Sequence, residues 1–227
     1  MNIASKLYIL DQIYSIYDDF SAQLDLACKK YCVHCCTTHV TLTTLEGYKV
    51  IDNLIADGEF DVIKKIELTS DPKRFQPKIT TNQLAEICAD GLEPLEEGGT
   101  EQSEPCSFLT EKACPLYKVR PFGCRCLVSR YNCGEKGYAE IDDFVLSVNT
   151  VILQTIEHMD INGCTGNLMD VLNVMSSEDN QTAYRNNALK CQNAGLISNH
   201  PLKVLMIPPE HRPRMEPILQ ALRKIKI

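Results

Sequence analysis

Cys28, Cys32, Cys35 and Cys36 stand within nine residues of one another, and Cys106, Cys114, Cys124, Cys126 and Cys133 within 28. A uniform spread of the chain's 12 cysteines would put about two in those 37 residues, and nine are there. Thiolates are soft anionic ligands, and spacings of two or three residues let a tight loop aim successive sulfurs at one ion or cluster. The two groups therefore point to a metal site. The competing reading, cysteines buried as small hydrophobes, suits isolated residues, but Lys29, Lys30, Tyr31 and His34 interrupt the first group.

Concentrated thiolates repel one another, and Lys29, Lys30, Arg120, Arg125 and Arg130 lie close in sequence to favour the ionised form. Arg120 and Arg125 are the cations expected to hydrogen-bond a cluster sulfur or screen its charge. Tyr117 is expected to pack its ring against the loop. The steps Pro105-Cys106, Cys114-Pro115 and Arg120-Pro121 stiffen the second group, so less backbone entropy is lost when its sulfurs converge. Seven to nine thiols at irregular spacing exceed what one zinc ion uses. That favours an iron-sulfur cluster, with room for a second metal, and leaves a structural zinc site as the alternative. His34 either replaces a thiol or donates a supporting hydrogen bond.

The stretch CKKYCVHCCTTHVTLTTLEG, followed about 70 residues later by PCSFLTEKACPLYKVRPFGCR, resembles the YkgJ-type cysteine-cluster family, described as a zinc- or iron-chelating domain. That family's pattern is a CxxCC group, an LTxxE helix start, then PCxFL and CxxYxxRPxxCR, and the likeness covers residues 28 to about 126. The resemblance implies a metal site held by Cys28, Cys32, Cys35, Cys36, Cys106, Cys114 and Cys124, and a distant kinship to flagellin lysine N-methylases. The chain departs from the pattern at Val33-His34, where family members have Gly, and at Cys126-Leu127-Val128, where they have an aromatic-proline step. Cys126 and Cys133 would then be added ligands. Residues 140–227 carry no motif of that family.

Cys28-x3-Cys32-x2-Cys35 also spells the cluster motif of radical S-adenosylmethionine enzymes. Those enzymes place it after a first barrel strand, whereas here a long predicted helix precedes it. An S-adenosylmethionine-dependent, methyltransferase-like activity is a second enzyme alternative, motivated by the methylase kinship alone. No GxGxxG fingerprint, Ser/His/Asp set or paired carboxylates stand out. The leading expectation is a metal-binding module with a redox, electron-transfer or metal-handling role, working with a redox or other protein partner.

The elements that must position these cysteines read as helices. Ile3, Leu7, Leu10, Ile13, Ile16 or Tyr17, Phe20 and Leu24 recur at spacings of three and four, predicting one amphipathic helix of about 25 residues that delivers the chain to Cys28. Thr43 with Glu46 forms a capping box before a helix that stops at Gly58, and Thr80 with Gln83 opens another that stops at Gly91. Further helices are expected at 59–68, 141–159, 167–175, 178–193 and from Pro213. His39 to Leu42 reads as a short extended piece, with no convincing run of strands elsewhere. Cys88, Cys164 and Cys191 fall on predicted helices or their ends, where a small buried hydrophobe is the expected role. His158, His200 and His211 are isolated. The fold expected is mostly α: an irregular helical single domain over 1–227, with two cysteine-rich loops in a core at 28–133 and a helical part at 140–227. The two groups are expected to build one shared site, because closing so long a loop costs only about 0.6 kcal/mol more per doubling of its length.

A chain of 227 residues is long enough to need no external staple, and 44% hydrophobic with 23% charged residues excludes collagen, coiled coil and wholesale disorder. The net charge of -7 is concentrated: removing the six acids of residues 90–104 leaves -1, so that segment reads as a solvated acidic loop. Six Lys or Arg from Lys203 onward give a mildly basic tail, read as a helix face and not as a nucleic-acid contact. The N-terminal residues lack the pattern of a signal peptide and no stretch is long enough to span a membrane, so a cytoplasmic location with reduced thiols is expected.

Overall fold

In the computed structural model, which describes residues 1–68, 74–94, 104–111 and 113–225 with backbone alone at 193–194, about 52% of the described residues are helical. Helix α1 (Ile3–Ser21) is opened by Asn2, whose side chain accepts from the Ser5 N–H, and buries Ile9, Leu10, Ile13, Tyr14 and Tyr17 along one stripe. It ends earlier than the apolar spacing predicts. Ser21 Oγ donates to the Asp18 carbonyl, and Gln23 and Leu24 N–H groups bond three residues back, so the helix closes in a turn well short of Cys28.

Strand β1 (Thr41–Thr43) leads into α2 (Thr44–Ala56) through the expected Thr43–Glu46 capping box, and α3 (Phe60–Leu68) follows. The second expected box, Thr80 with Gln83, opens α4 (Thr81–Ala89). Of the acidic segment, residues 95–103 lie outside the described residues. Two four-residue helices that the sequence reading missed, α5 (Phe122–Arg125) and α6 (Cys133–Lys136), interrupt what was expected to be a single loop, and they carry Cys124 and Cys133. Helix α7 (Asp143–Met159) then runs into strand β2 (Cys164–Asn167), α8 (Leu168–Ser176), α9 (Glu178–Arg185), a 3-10 turn at Cys191–Ala194, strand β3 (Ile197–Ser198) and α10 (Arg212–Arg223). Helix α9 stops eight residues before its predicted end, where Asn187 takes a left-handed backbone (φ +54°).

The three strands form an antiparallel sheet in the order β1-β2-β3, with Leu42 opposite Gly166 and Thr165 opposite Ile197. The sequence predicts only its first strand, since two- to four-residue strands show no alternation to read. The sheet lies beside the helices: α2 packs on α8, α3 on α8, α4 on α7, and α1 on α2, α7 and α10. One continuous apolar core runs from Ile9 to Ile218, with Leu10, Ile13, Ile51, Ile152 and Leu172 fully enclosed. No described helix is long and apolar enough to cross a membrane.

Two expectations about isolated cysteines are overturned. Cys88 is exposed, in the last turn of α4. Cys164 and Cys191 are buried but not as separate thiols: they form a disulfide that ties β2 to the 3-10 turn, so not every thiol of the chain is reduced.

Candidate metal centre

The first cysteine group lies in irregular chain between α1 and β1, held in place mainly by partners far away in sequence. Ala27 N–H donates to the Ser129 carbonyl at 2.9 Å, and Ser129 N–H donates to Cys28 Sγ at 3.2 Å. Tyr31 adopts a left-handed backbone (φ +73°) that turns the chain between Cys28 and Cys32. Cys32 and Cys36 N–H groups close single turns onto Lys29 and Val33, and Cys35 Sγ faces the Leu127 carbonyl at 3.9 Å. The Cys106 N–H donates to the Cys36 carbonyl at 2.9 Å, beside a bridge pairing Thr37 with Pro105.

Cys106 and Cys114 flank a hairpin-like bend in which Thr110 and Ala113 exchange backbone hydrogen bonds. Cys124 is positioned by α5, and α5 by Glu46. That buried carboxylate accepts from the Phe122 N–H (2.7 Å) and Tyr14 hydroxyl (2.8 Å) on one oxygen and from the Thr43 N–H (3.0 Å) on the other. Phe122, fully buried, meets Tyr17 edge-on at 4.8 Å. Gly123 backs directly onto the Thr41 carbonyl, where any side chain would collide. On α6, a Cβ at Gly134 would stand 2.6 Å from His34 Nε2, so glycine next to Cys133 is what admits the His34 ring.

These segments enclose a cleft of about 510 Å³ whose walls include Cys28, Cys32, Cys35, Cys36, Cys106, Cys114 and Cys124. Lys29, Lys30, Arg120 and Arg125 also line it. Cys126 sits behind the wall, buried, with its thiol donating to the Gly123 carbonyl at 3.6 Å. Cys133 is half-exposed on α6, its thiol against the Tyr131 carbonyl at 3.9 Å. Among the described residues no three His, Cys, Asp or Glu side chains are already gathered as an ion requires.

Burial pushes the Cys28, Cys106, Cys114 and Cys124 thiols up, and neighbouring sulfurs push Cys28, Cys114 and Cys124 up further. Cys126 is raised to about 12, chiefly by burial. The side-by-side Cys35 and Cys36 sulfurs shift one another, Cys35 upward and Cys36 downward. The cations foreseen from the sequence thus do not make the cleft a set of thiolates; desolvation outweighs them and keeps most of the sulfurs protonated.

The two predicted arginines part company. Arg120 stacks on the Tyr117 ring at 4.3 Å, and its charge bears on Cys35, Cys114 and Cys124. Arg125 lies over the Tyr14 ring at 4.5 Å, reaches Asp18 at 3.3 Å and donates to the Arg120 carbonyl at 3.0 Å, so it joins α5 to α1. Sequence reasoning missed Ser129 and Glu46 as supports of the site. Glu46 was visible as a capping residue, but nothing near it in sequence announces its bond to Phe122, 76 positions away. Comparison of the chain with protein-family models, with curated proteins and with solved structures returns no match in any of the three.

Proposed function

We propose that the protein is a metal-binding module that holds an iron-sulfur cluster on thiolates of its two cysteine groups, in a redox, electron-transfer or metal-handling role. The observation that carries this reading is that seven of the nine candidate ligands, drawn from segments about 70 residues apart, line one cleft. The donor set fits such a group: sulfur throughout, more thiols than a single zinc ion uses, and Arg120 to offset their charge. A cluster bound there supplies one-electron chemistry. The chain supplies the sulfurs, the Ser129 N–H that donates to Cys28, and the α5 anchor that holds Cys124. Loading requires the thiols to give up their protons and turn inward, which a cation drives and their mutual repulsion opposes. The resemblance to a zinc- or iron-chelating family supports the same reading.

Anaerobic purification with iron, acid-labile sulfide and zinc analysis tests it. The expected protein is brown and contains iron with sulfide. A colourless protein with stoichiometric zinc would replace the cluster by the structural zinc alternative, and a protein that takes up neither metal would end the metal reading.

A further inference from the structure

The cysteines around the cleft divide by the segments that hold them. Cys36 is joined to Cys106 by a backbone hydrogen bond and the Thr37–Pro105 bridge, the Thr110–Ala113 pairing folds Cys114 back toward Cys106, and Cys124 lines the same cleft. Cys28 is tied instead to Ser129, Cys35 faces Leu127, and His34 lies on Gly134 beside Cys133, so this half of the first group is pinned to residues 127–134. We infer two four-thiolate positions, an inner one within the cleft of Cys36, Cys106, Cys114 and Cys124, and an outer one at its edge, where Cys28, Cys32 and Cys35 meet Cys133 of α6. The inference rests on the metal reading above and deepens it, since it divides the candidate thiols between two ions and joins Cys133, which does not line the cleft, to three thiols that do.

The Cys35–Cys36 contact is the shared edge, and it resolves why two adjacent cysteines are both useful: one serves each position. Arg120 lines the cleft between the two positions, and Lys29 and Lys30 line it on the segment that carries the outer one. The outer position suits one soft divalent cation; four thiols bind it with release of four protons, and the two lysines offset the resulting double negative charge.

The test uses the zinc ion itself as probe. The full-length chain, stripped of metal with its thiols reduced, is titrated with zinc and the bound ions are counted by native mass spectrometry. Two zinc ions are expected for the wild type and for Cys88→Ser, and one for either Cys133→Ser or Cys114→Ser. A second readout needs no variant: in the zinc-loaded wild type, Cys28, Cys32, Cys35 and Cys133 should resist alkylation while Cys88 reacts. One zinc per wild-type chain with those four thiols reactive overturns the outer position and leaves the metal reading standing. Loss of both ions in Cys133→Ser overturns the division in favour of one shared cluster, whereas a wild type that binds no zinc and no iron removes the metal reading itself.

Discussion

A cysteine turned into this cleft loses hydration before it gains a cation, and that order has a measurable consequence. With burial holding Cys28, Cys106, Cys114 and Cys124 above the ordinary thiol range, the metal-free protein keeps protons that the loaded protein must release. Apparent affinity therefore rises with pH, by up to about tenfold per unit for each proton displaced. Competition against a chelator at about pH 6.5 and about pH 8.5 checks this; equal affinities at the two would show that these thiols are not the ligands. At this scale the sequence was informative about type and poor about role. Clustering alone singled out all nine cysteines, but sequence proximity could not separate Arg120, which faces the thiols, from Arg125, which spans α5 and α1. Nor could it show that Cys35 and Cys36, neighbours in the chain, answer to different distant segments.

Among the elements, those legible in the sequence carry their own hydrogen-bond partners. The capping boxes of α2 and α4 are written within four residues each and fall where expected. The sheet, α5 and α6 are too short to stand without distant support: β1 pairs with β2 some 120 residues on, and α5 exists where Glu46 satisfies its first N–H. Glu46 thereby joins α1, α2 and α5 through Tyr14, Thr43 and Phe122. Burial pushes its carboxyl up, yet both oxygens accept, so an amide in its place would turn an NH2 donor toward an N–H or hydroxyl donor. Glu46→Gln should then cost about 2 kcal/mol or more, the penalty of a buried unsatisfied donor, and should lower metal content by loosening Cys124. Chemical denaturation with parallel metal analysis checks both. A variant as stable as the wild type would mean that the carboxylate is already protonated there and donates one of its bonds.

For the molecule as a whole, the cleft and the rest of the fold are anchored by different devices. Away from the cleft, Asp160 is fully buried at the end of α7, accepting from Thr44 Oγ (2.7 Å), the Leu45 N–H (2.9 Å) and the Tyr184 hydroxyl (2.6 Å), with Lys6 at 3.6 Å. It draws α1, α2, α7 and α9 to one point, and Thr44 in turn accepts the N–H of Cys164. The Cys164–Cys191 disulfide closes the 27-residue span around that point, and neither sulfur lines the cleft. A loop of that length restricts the unfolded chain by about 3.5 kcal/mol. At about 2–4 °C per kcal/mol for a domain of this size, Cys191→Ser should lower Tm by about 10 °C. Because the bridge and the cleft share no side chain, metal content per folded chain should stay at the wild-type level. Thermal unfolding without reductant, with metal analysis of the same samples, separates the two effects. An unchanged Tm would mean that the bridge does not form in solution, and a loss of metal would mean that the two halves of the fold are coupled through β1 and β2.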